Sequence, residues 1–193
     1  LLPFARRGED PTAAAVDRWA HYLHGAPNSH IIRSLTDLDN FDNRLAKFRK
    51  LLLFLKTQGV GLTSLMDATK ERPVEGRGGP FERLECIGDH SWGSNVASRI
   101  MLLFPQVDWR RDRTLLSSFH LMRDSIESNA NLEHVYHVLD LDAIVSPTVK
   151  AISTKARGDV VEGLLGELQV ATWGSSPHYS GIDTTAYVDV GAT

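Results

Sequence analysis

The chain reads as an all-α protein. Three observations predict this: apolar residues recur at helical spacing in several segments, strand-like alternation is nearly absent, and glycines and prolines punctuate the periodic segments. Residues 1–30 are mixed, with a short helical stretch over about 13–23. Residues 34–56 carry Leu45, Phe48, Leu52 and Leu55 at helical spacing with Lys and Arg on the other face, which predicts an amphipathic helix. Gln58-Gly59-Val60-Gly61 breaks it, and a short helix is expected over 62–70. Residues 71–80, with Gly76, Gly78, Gly79 and two prolines, form a loop.

Pro80 suits the first turn of a helix, which is expected to run to about Phe104 and to end at Pro105. After a polar stretch with Trp109, Arg110, Arg111 and Arg113, helix is predicted over 114–126. Ser128-Asn129 offers a cap for a helix over 132–139. From Ser146-Pro147 the chain leads into a further helix at about 150–170, and the tail from Thr172 is rich in Gly, Ser and Thr. There is no internal repeat or low-complexity tract. The expected organisation is an N-terminal extension over 1–50 that includes the amphipathic helix, a main domain over 51–172, and a C-terminal tail over 173–193.

Bulk properties narrow the class. A chain of 193 residues can build one substantial core, and 42% hydrophobic with 23% charged residues is ordinary for a globular protein. No apolar run approaches the roughly 18 residues that span a bilayer, so no membrane partner is expected. The opening Leu1-Leu2-Pro3-Phe4-Ala5-Arg6-Arg7 has neither an initiator Met nor a signal-type apolar core and reads as the interior of a longer precursor or a trimmed chain. The single cysteine, Cys86, excludes an internal disulfide and a cysteine-built zinc site. Net charge is −3 and the sequence pI about 6.2. Nucleic-acid binders usually present a basic face, so an RNA ligand would require divalent cations or an appended basic module.

Acidic residues are concentrated in two otherwise apolar stretches. The first is Glu82-Arg83-Leu84-Glu85-Cys86-Ile87-Gly88-Asp89, and the second is Gly158-Asp159-Val160-Val161-Glu162-Gly163-Leu164-Leu165-Gly166. At about 100° per residue, Glu82, Glu85 and Asp89 fall within an arc of about 60°. Asp159 and Glu162 are an i, i+3 pair with Lys155 one turn before them, and Gly93 leaves the first stripe unobstructed one turn after Asp89. Carboxylates at this spacing more often form a solvated helix face. If the two helices cross, however, four or five carboxylates converge, and like charges in a confined site raise each other's pKa. Mg²⁺ resolves that conflict: it takes oxygen ligands, retains waters and bridges to phosphate oxygens. A metal-bound water is a usable nucleophile near neutral pH, so the pattern suits phosphodiester hydrolysis.

The order of residues adds a resemblance. The first stretch resembles the ribonuclease III signature E-R-L-E-[aromatic]-L-G-D, and the second that family's D-x-x-E-A-hydrophobic-hydrophobic-G motif. Lys155-Ala156-Arg157-Gly158-Asp159 is similar to the K-x-x-G-D version of Dicer-type domains, and Ser128-Asn129-Ala130-Asn131-Leu132 to the family's S-N-x-x-L cap. The resemblance covers about residues 55–170. It implies the ribonuclease III endonuclease-domain helical fold, with 51–172 as catalytic domain, and Glu85, Asp89, Asp159 and Glu162 as the metal-binding catalytic carboxylates. Glu82 matches an additional signature acid, and Lys155 a lysine near the scissile phosphate. It further implies a Mg²⁺-dependent endoribonuclease, with Mn²⁺ as substitute, cutting double-stranded or hairpin RNA to 5′-phosphate and 3′-hydroxyl ends. The implied partners are structured RNA and a second ribonuclease III-like domain, in a homodimer or a heterodimer. Divergent organellar RNA-processing or editing endonucleases are similar in lacking an RNA-binding module. The alternative is a non-catalytic ribonuclease III-fold subunit of a ribonucleoprotein; such subunits typically lose carboxylates that this chain keeps.

Departures from the family pattern are local. Cys86 stands where the family has an aromatic that packs into the partner subunit, and is expected as a small buried helix residue. Glu167 and Gln169 stand where small and apolar residues follow the second motif. His90 lacks the remaining ligands of an HD-type phosphohydrolase, and His134 with His137 offers a bare i, i+3 pair. Trp109 with Arg110, Arg111 and Arg113 reads as a surface loop before it reads as an RNA contact.

Overall fold

The computed structural model describes residues 11–27, 38–57, 62–66, 79–110, 113–146 and 153–174. All regular structure among them is helical: α1 (Pro11–Gly25), α2 (Leu38–Thr57), α3 (Thr63–Met66), α4 (Pro80–Leu103), α5 (Arg113–Glu127), α6 (Asn129–Val138), a 3₁₀ turn (Leu141–Ala143) and α7 (Thr154–Gly174). The all-α expectation holds. No described helix is long and apolar enough to cross a membrane.

The sequence of α7 explains its central place. Val160, Val161, Gly163, Leu164, Gly166, Glu167 and Val170 are all buried, which is more than one stripe of the helix surface. α3, α4 and α6 supply the cover. Its start is tied to α6 by Arg157, whose Nη1 donates to Glu133 Oε1 at 2.6 Å.

α4 and α7 meet backbone to backbone. A Cβ placed on Gly88 would lie 1.7 Å from the carbonyl oxygen of Glu162, and one on Gly166 would lie 1.9 Å from that of Leu84. Any side chain at either position would push the helices apart, so two glycines set the distance. One turn along α7, the Phe81 ring lies over Gly163, where an added Cβ would come within 2.8 Å of Cε2. The acidic residues on either side of Gly88 are thereby carried against the acidic turn of α7.

α4 is also the wall between two cores. Its first half sends Phe81 into a core built on α6 and α7, with Leu132, Tyr136, Val160 and Leu164. Its second half sends Val96 and Ile100 into another, with Leu115, Phe119, Met122 and Ile126 of α5 and Val16, Ala20 and Leu23 of α1. Trp92 packs against both. α5 shows the predicted spacing, burying Leu115, Ser118, Phe119, Met122, Ser125 and Ile126.

Several boundaries differ from the sequence reading. The apolar face of α1 closes the second core. The expected division at 50/51 falls inside α2, whose Leu52 is fully buried in the first core. α2 is pinned by Lys56 Nζ donating to Ala143 O at 3.0 Å and by an Arg49–Asp140 ion pair. Asp140 has φ of 52°, a conformation that Asp tolerates better than most residues. α6 begins at Asn129, directly after its cap: Ser128 Oγ accepts from Asn131 N at 3.3 Å. α7 continues to Gly174, past the expected boundary at 172/173. The loop over 71–78, and the parts of the expected helices over 67–70 and 150–152, lie outside the described residues.

A substitution test follows from the crossing. Gly88→Ala and Gly166→Ala should each destabilise by about 3 kcal/mol or more, the upper range for overpacking, because the obstacle is backbone. The double variant should cost less than the sum, since both enlarge the same gap. Urea unfolding followed by circular dichroism reads both.

Candidate metal centre

Three elements frame an acidic cleft of about 450 Å³: α4 contributes Glu82, Glu85, Cys86 and Asp89, α7 contributes Lys155 and Glu162, and α6 contributes Asn129. Asp159 lies behind the wall, 4% exposed. One carboxylate oxygen from each of Glu85, Asp159 and Glu162 lies within 4.8 Å of the others. Two stretches some seventy positions apart in sequence therefore meet, through the glycine crossing that separates them by no side chain.

Each predicted residue has a distinct place. Glu85 is half-buried in the converging trio. Asp89 is exposed and outside the trio, with its side chain 61% accessible, but close enough to raise the Glu162 pKa. Glu82 works partly for the helix: Oε2 accepts from Gly79 N at 3.0 Å, half of a capping box whose other half a glycine cannot supply. Lys155 Nζ donates to Asp159 Oδ1 at 2.7 Å and stands 3.9 Å from Glu85 Oε1. It is the one cation among the described cleft residues, set against five carboxyl groups.

That imbalance has a measurable consequence. Glu162 is pushed up to about 7, first by burial and then by the charges of Asp89, Asp159 and Glu85, against a smaller lowering by Lys155. The donor set that converges is oxygen alone, partly buried, and short of positive charge. Such a set fits a hard divalent cation, which takes carboxylate oxygens and removes the repulsion. Residues Glu85, Asp159 and Glu162 could hold it, with Asp89 at the open side.

Other sequence candidates fall elsewhere. Cys86, expected to be buried, is exposed: it lies at the border of the acidic cleft and a neighbouring groove with His90 and Gln169. Trp109 packs edge-on against Phe104 and Phe119, with ring centroids 6.0 and 5.4 Å away, so it belongs to the second core rather than to a stacking platform. His137 approaches Glu133 at 3.9 Å. The two unusual polar residues after the second motif are both accommodated. Glu167 Oε2 accepts from Ser64 N at 3.0 Å and Ser64 Oγ at 2.6 Å, and Gln169 Oε1 accepts from Ser91 Oγ at 3.1 Å. Asn129 is the cleft residue that sequence reasoning missed; its place at the head of a helix signalled only a cap.

No protein-family model, curated protein or solved structure matches the chain.

The Glu162 shift sets a pH dependence. A carboxyl whose folded pKa lies above its unfolded value holds its proton longer in the folded state, so its contribution to stability is full below about pH 4.5 and is lost as pH rises through about 7. The metal-free chain should therefore lose stability between pH 5 and 7.5, and Glu162→Gln should flatten that slope. Thermal melts across this range in chelator, wild type beside variant, provide the check; equal slopes would show that Glu162 is not the titrating group.

Proposed function

We propose that the chain is a Mg²⁺-dependent endoribonuclease of the ribonuclease III type, cutting double-stranded or hairpin RNA. The observation that carries this reading is the convergence of Glu85, Asp159 and Glu162 oxygens within 4.8 Å, from the two motifs that resemble that family. The ribonuclease III endonuclease-domain fold belongs to the same proposal; its support is the order of the motifs and their meeting across α4 and α7.

Glu85, Asp89, Asp159 and Glu162 are the proposed ligands for Mg²⁺, with Mn²⁺ as substitute. A divalent cation held there supplies an activated water and offsets charge on the departing oxygen. The chain's own contribution is placement. The ligands sit on two helices locked by backbone contact, which keeps them rigid as an anionic substrate enters. Burial behind Glu85 and Glu162 keeps Asp159 from solvent and strengthens its field. Lys155, whose Nζ donates to Asp159 Oδ1, would set its ammonium beside a phosphate held at the centre. Glu82 holds the first turn of α4, and so the spacing of the stripe. Hydrolysis adds water across the P–O3′ bond, leaving the phosphate on the 5′ end and a hydroxyl on the 3′ end.

With net charge −3, attraction to RNA depends on the bound cations and on a partner surface. The reading includes pairing with a second ribonuclease III-like domain, a copy of this chain or a different one, so that each cuts one strand. The groove beside Cys86 is the face on which that pairing is expected.

Labelled duplex RNA incubated with the chain and Mg²⁺ tests the reading. Asp89→Ala and Glu162→Ala should each slow cleavage by about 100-fold or more, the scale for loss of a group that stabilises transition-state charge, with helical content unchanged. RNA binding without Mg²⁺-dependent cutting would instead favour a non-catalytic subunit. Undiminished cleavage in both variants would place the chemistry elsewhere.

A further inference from the structure

We propose that the outward face of α2 docks the protein on an anionic lipid surface, with Leu51 and Phe54 entering the headgroup layer and Arg44, Lys47 and Lys50 meeting lipid phosphates. The inference goes beyond the nuclease reading and does not rest on it. It begins with two side chains that the amphipathic pattern of α2 leaves unexplained. Leu45, Phe48, Leu52 and Leu55 form the stripe that packs on the first core, where Leu52 is fully buried. Leu51 and Phe54 fall outside that stripe and are 47% and 59% exposed. At about 100° per residue, Phe54 stands about 160° around the helix from Leu52. The two are neighbours at i, i+3, so they form one apolar ridge on the wet side.

The company of that ridge is cationic. Arg44, Lys47 and Lys50 share its arc of about 120°, and all three are exposed. Arg49 and Lys56 lie nearer the core and are bonded to Asp140 and to the Ala143 carbonyl. From 43 to 57 the chain has no acidic residue, although its net charge is −3. Positive charge and exposed large hydrophobics are therefore gathered on one side of one helix.

Charge complementarity selects an anionic partner, and the apolar ridge selects among anionic partners. A nucleic-acid backbone would satisfy the three cations but gain nothing from Leu51 and Phe54, which would be pressed against phosphates and sugars. A protein partner is ill matched in size: from Arg44 to Phe54 the ridge measures about 15 Å by 10 Å, against roughly 800 Å² per side in a stable interface. A second copy would bring like charges together. The boundary of an anionic bilayer offers phosphates and acyl chains in one plane, and accepts a convex ridge without a matching groove. Long Lys and Arg stems keep their charges at headgroup level while the Phe and Leu beside them sink deeper. The expectation of no membrane partner rested on the absence of a spanning segment. No described helix crosses a membrane, and lying on a surface requires none.

Co-sedimentation of the full chain with vesicles tests the docking. Vesicles of phosphatidylcholine with about 30 mol% phosphatidylglycerol should bind it, vesicles of phosphatidylcholine alone should not, and raising salt from about 0.1 to 0.5 M should weaken binding. Lys47→Gln with Lys50→Gln should lower affinity by about 20-fold, from about 5-fold per cation near the surface. Phe54→Ala should lower it by about 10-fold, the scale for losing partial burial of a Phe side chain. Melting temperatures should stay at the wild-type value, because the altered side chains lie away from the core. Phe54→Trp should retain binding and show added fluorescence that brominated lipid quenches, which a purely electrostatic contact would not give. Absence of binding to the anionic vesicles would overturn the proposal, as would binding that survives both sets of substitutions. So would unquenched fluorescence from Phe54→Trp on bound protein. If the lysine substitutions weaken binding to duplex RNA while vesicles are ignored, the face is an RNA contact and the proposal falls. It falls equally if Phe54→Ala abolishes self-association in sedimentation and vesicles are ignored.

Discussion

The molecule depends on a contact in which no side chain takes part. At Gly88 and Gly166, α4 and α7 approach until each helix rests on a carbonyl of the other, Glu162 on one side and Leu84 on the other. Helices with side chains at the contact pack 8–10 Å apart; here the seam is narrowed by removing the side chains. The gain is positional. Glu85 and Asp89 lie within three residues of one glycine, and Glu162 lies one turn from the other, so the seam that holds the helices together also brings the carboxylates together. Phe81 over Gly163 extends it by a turn and links it to the first core.

Electrostatics run against this arrangement, and the surrounding structure offsets them. Five carboxyl groups share a small volume with Lys155, and Glu162 responds by holding its proton to about pH 7. The strain is contained by anchors outside the cleft. Arg157 ties the head of α7 to Glu133 of α6, and Glu167 fastens the other end of the acidic turn to α3 through both polar groups of Ser64. A cluster that repels itself can persist when the elements bearing it are over-determined by other contacts, and such clusters are where binding and catalysis concentrate. Lys155, bonded to a carboxylate that is 4% exposed, supplies positive charge within the cleft.

The second core matters to the cleft although it does not touch it. α1 and α5 enclose Val96 and Ile100 and so hold the distal half of α4, a helix of 24 residues. Without that support only the proximal half, against α7, would be fixed. α1 is therefore part of the body that carries the site, and the aromatic series from Trp19 through Phe104 and Trp109 to Phe119 closes this core at its rim.

What the sequence alone determined is what depends on neighbours along the chain. Helical period, the proline at the head of α4, the cap at Ser128 and the one-face placement of Glu82, Glu85 and Asp89 are all local, and each was legible. So was the placement of Lys155 one turn before Asp159 on the same face; that the two bond was not. Tertiary structure decided which of those charges meet. It left Asp89 at the open side, turned Cys86 outward, drew Trp109 into a core and brought Asn129 from α6 into the cleft. It also made α1 a wall of the fold. The reason is that periodicity specifies a helix's faces but not what lies opposite them: that is set by how closely two backbones can approach, and here by the absence of a Cβ at Gly88 and Gly166.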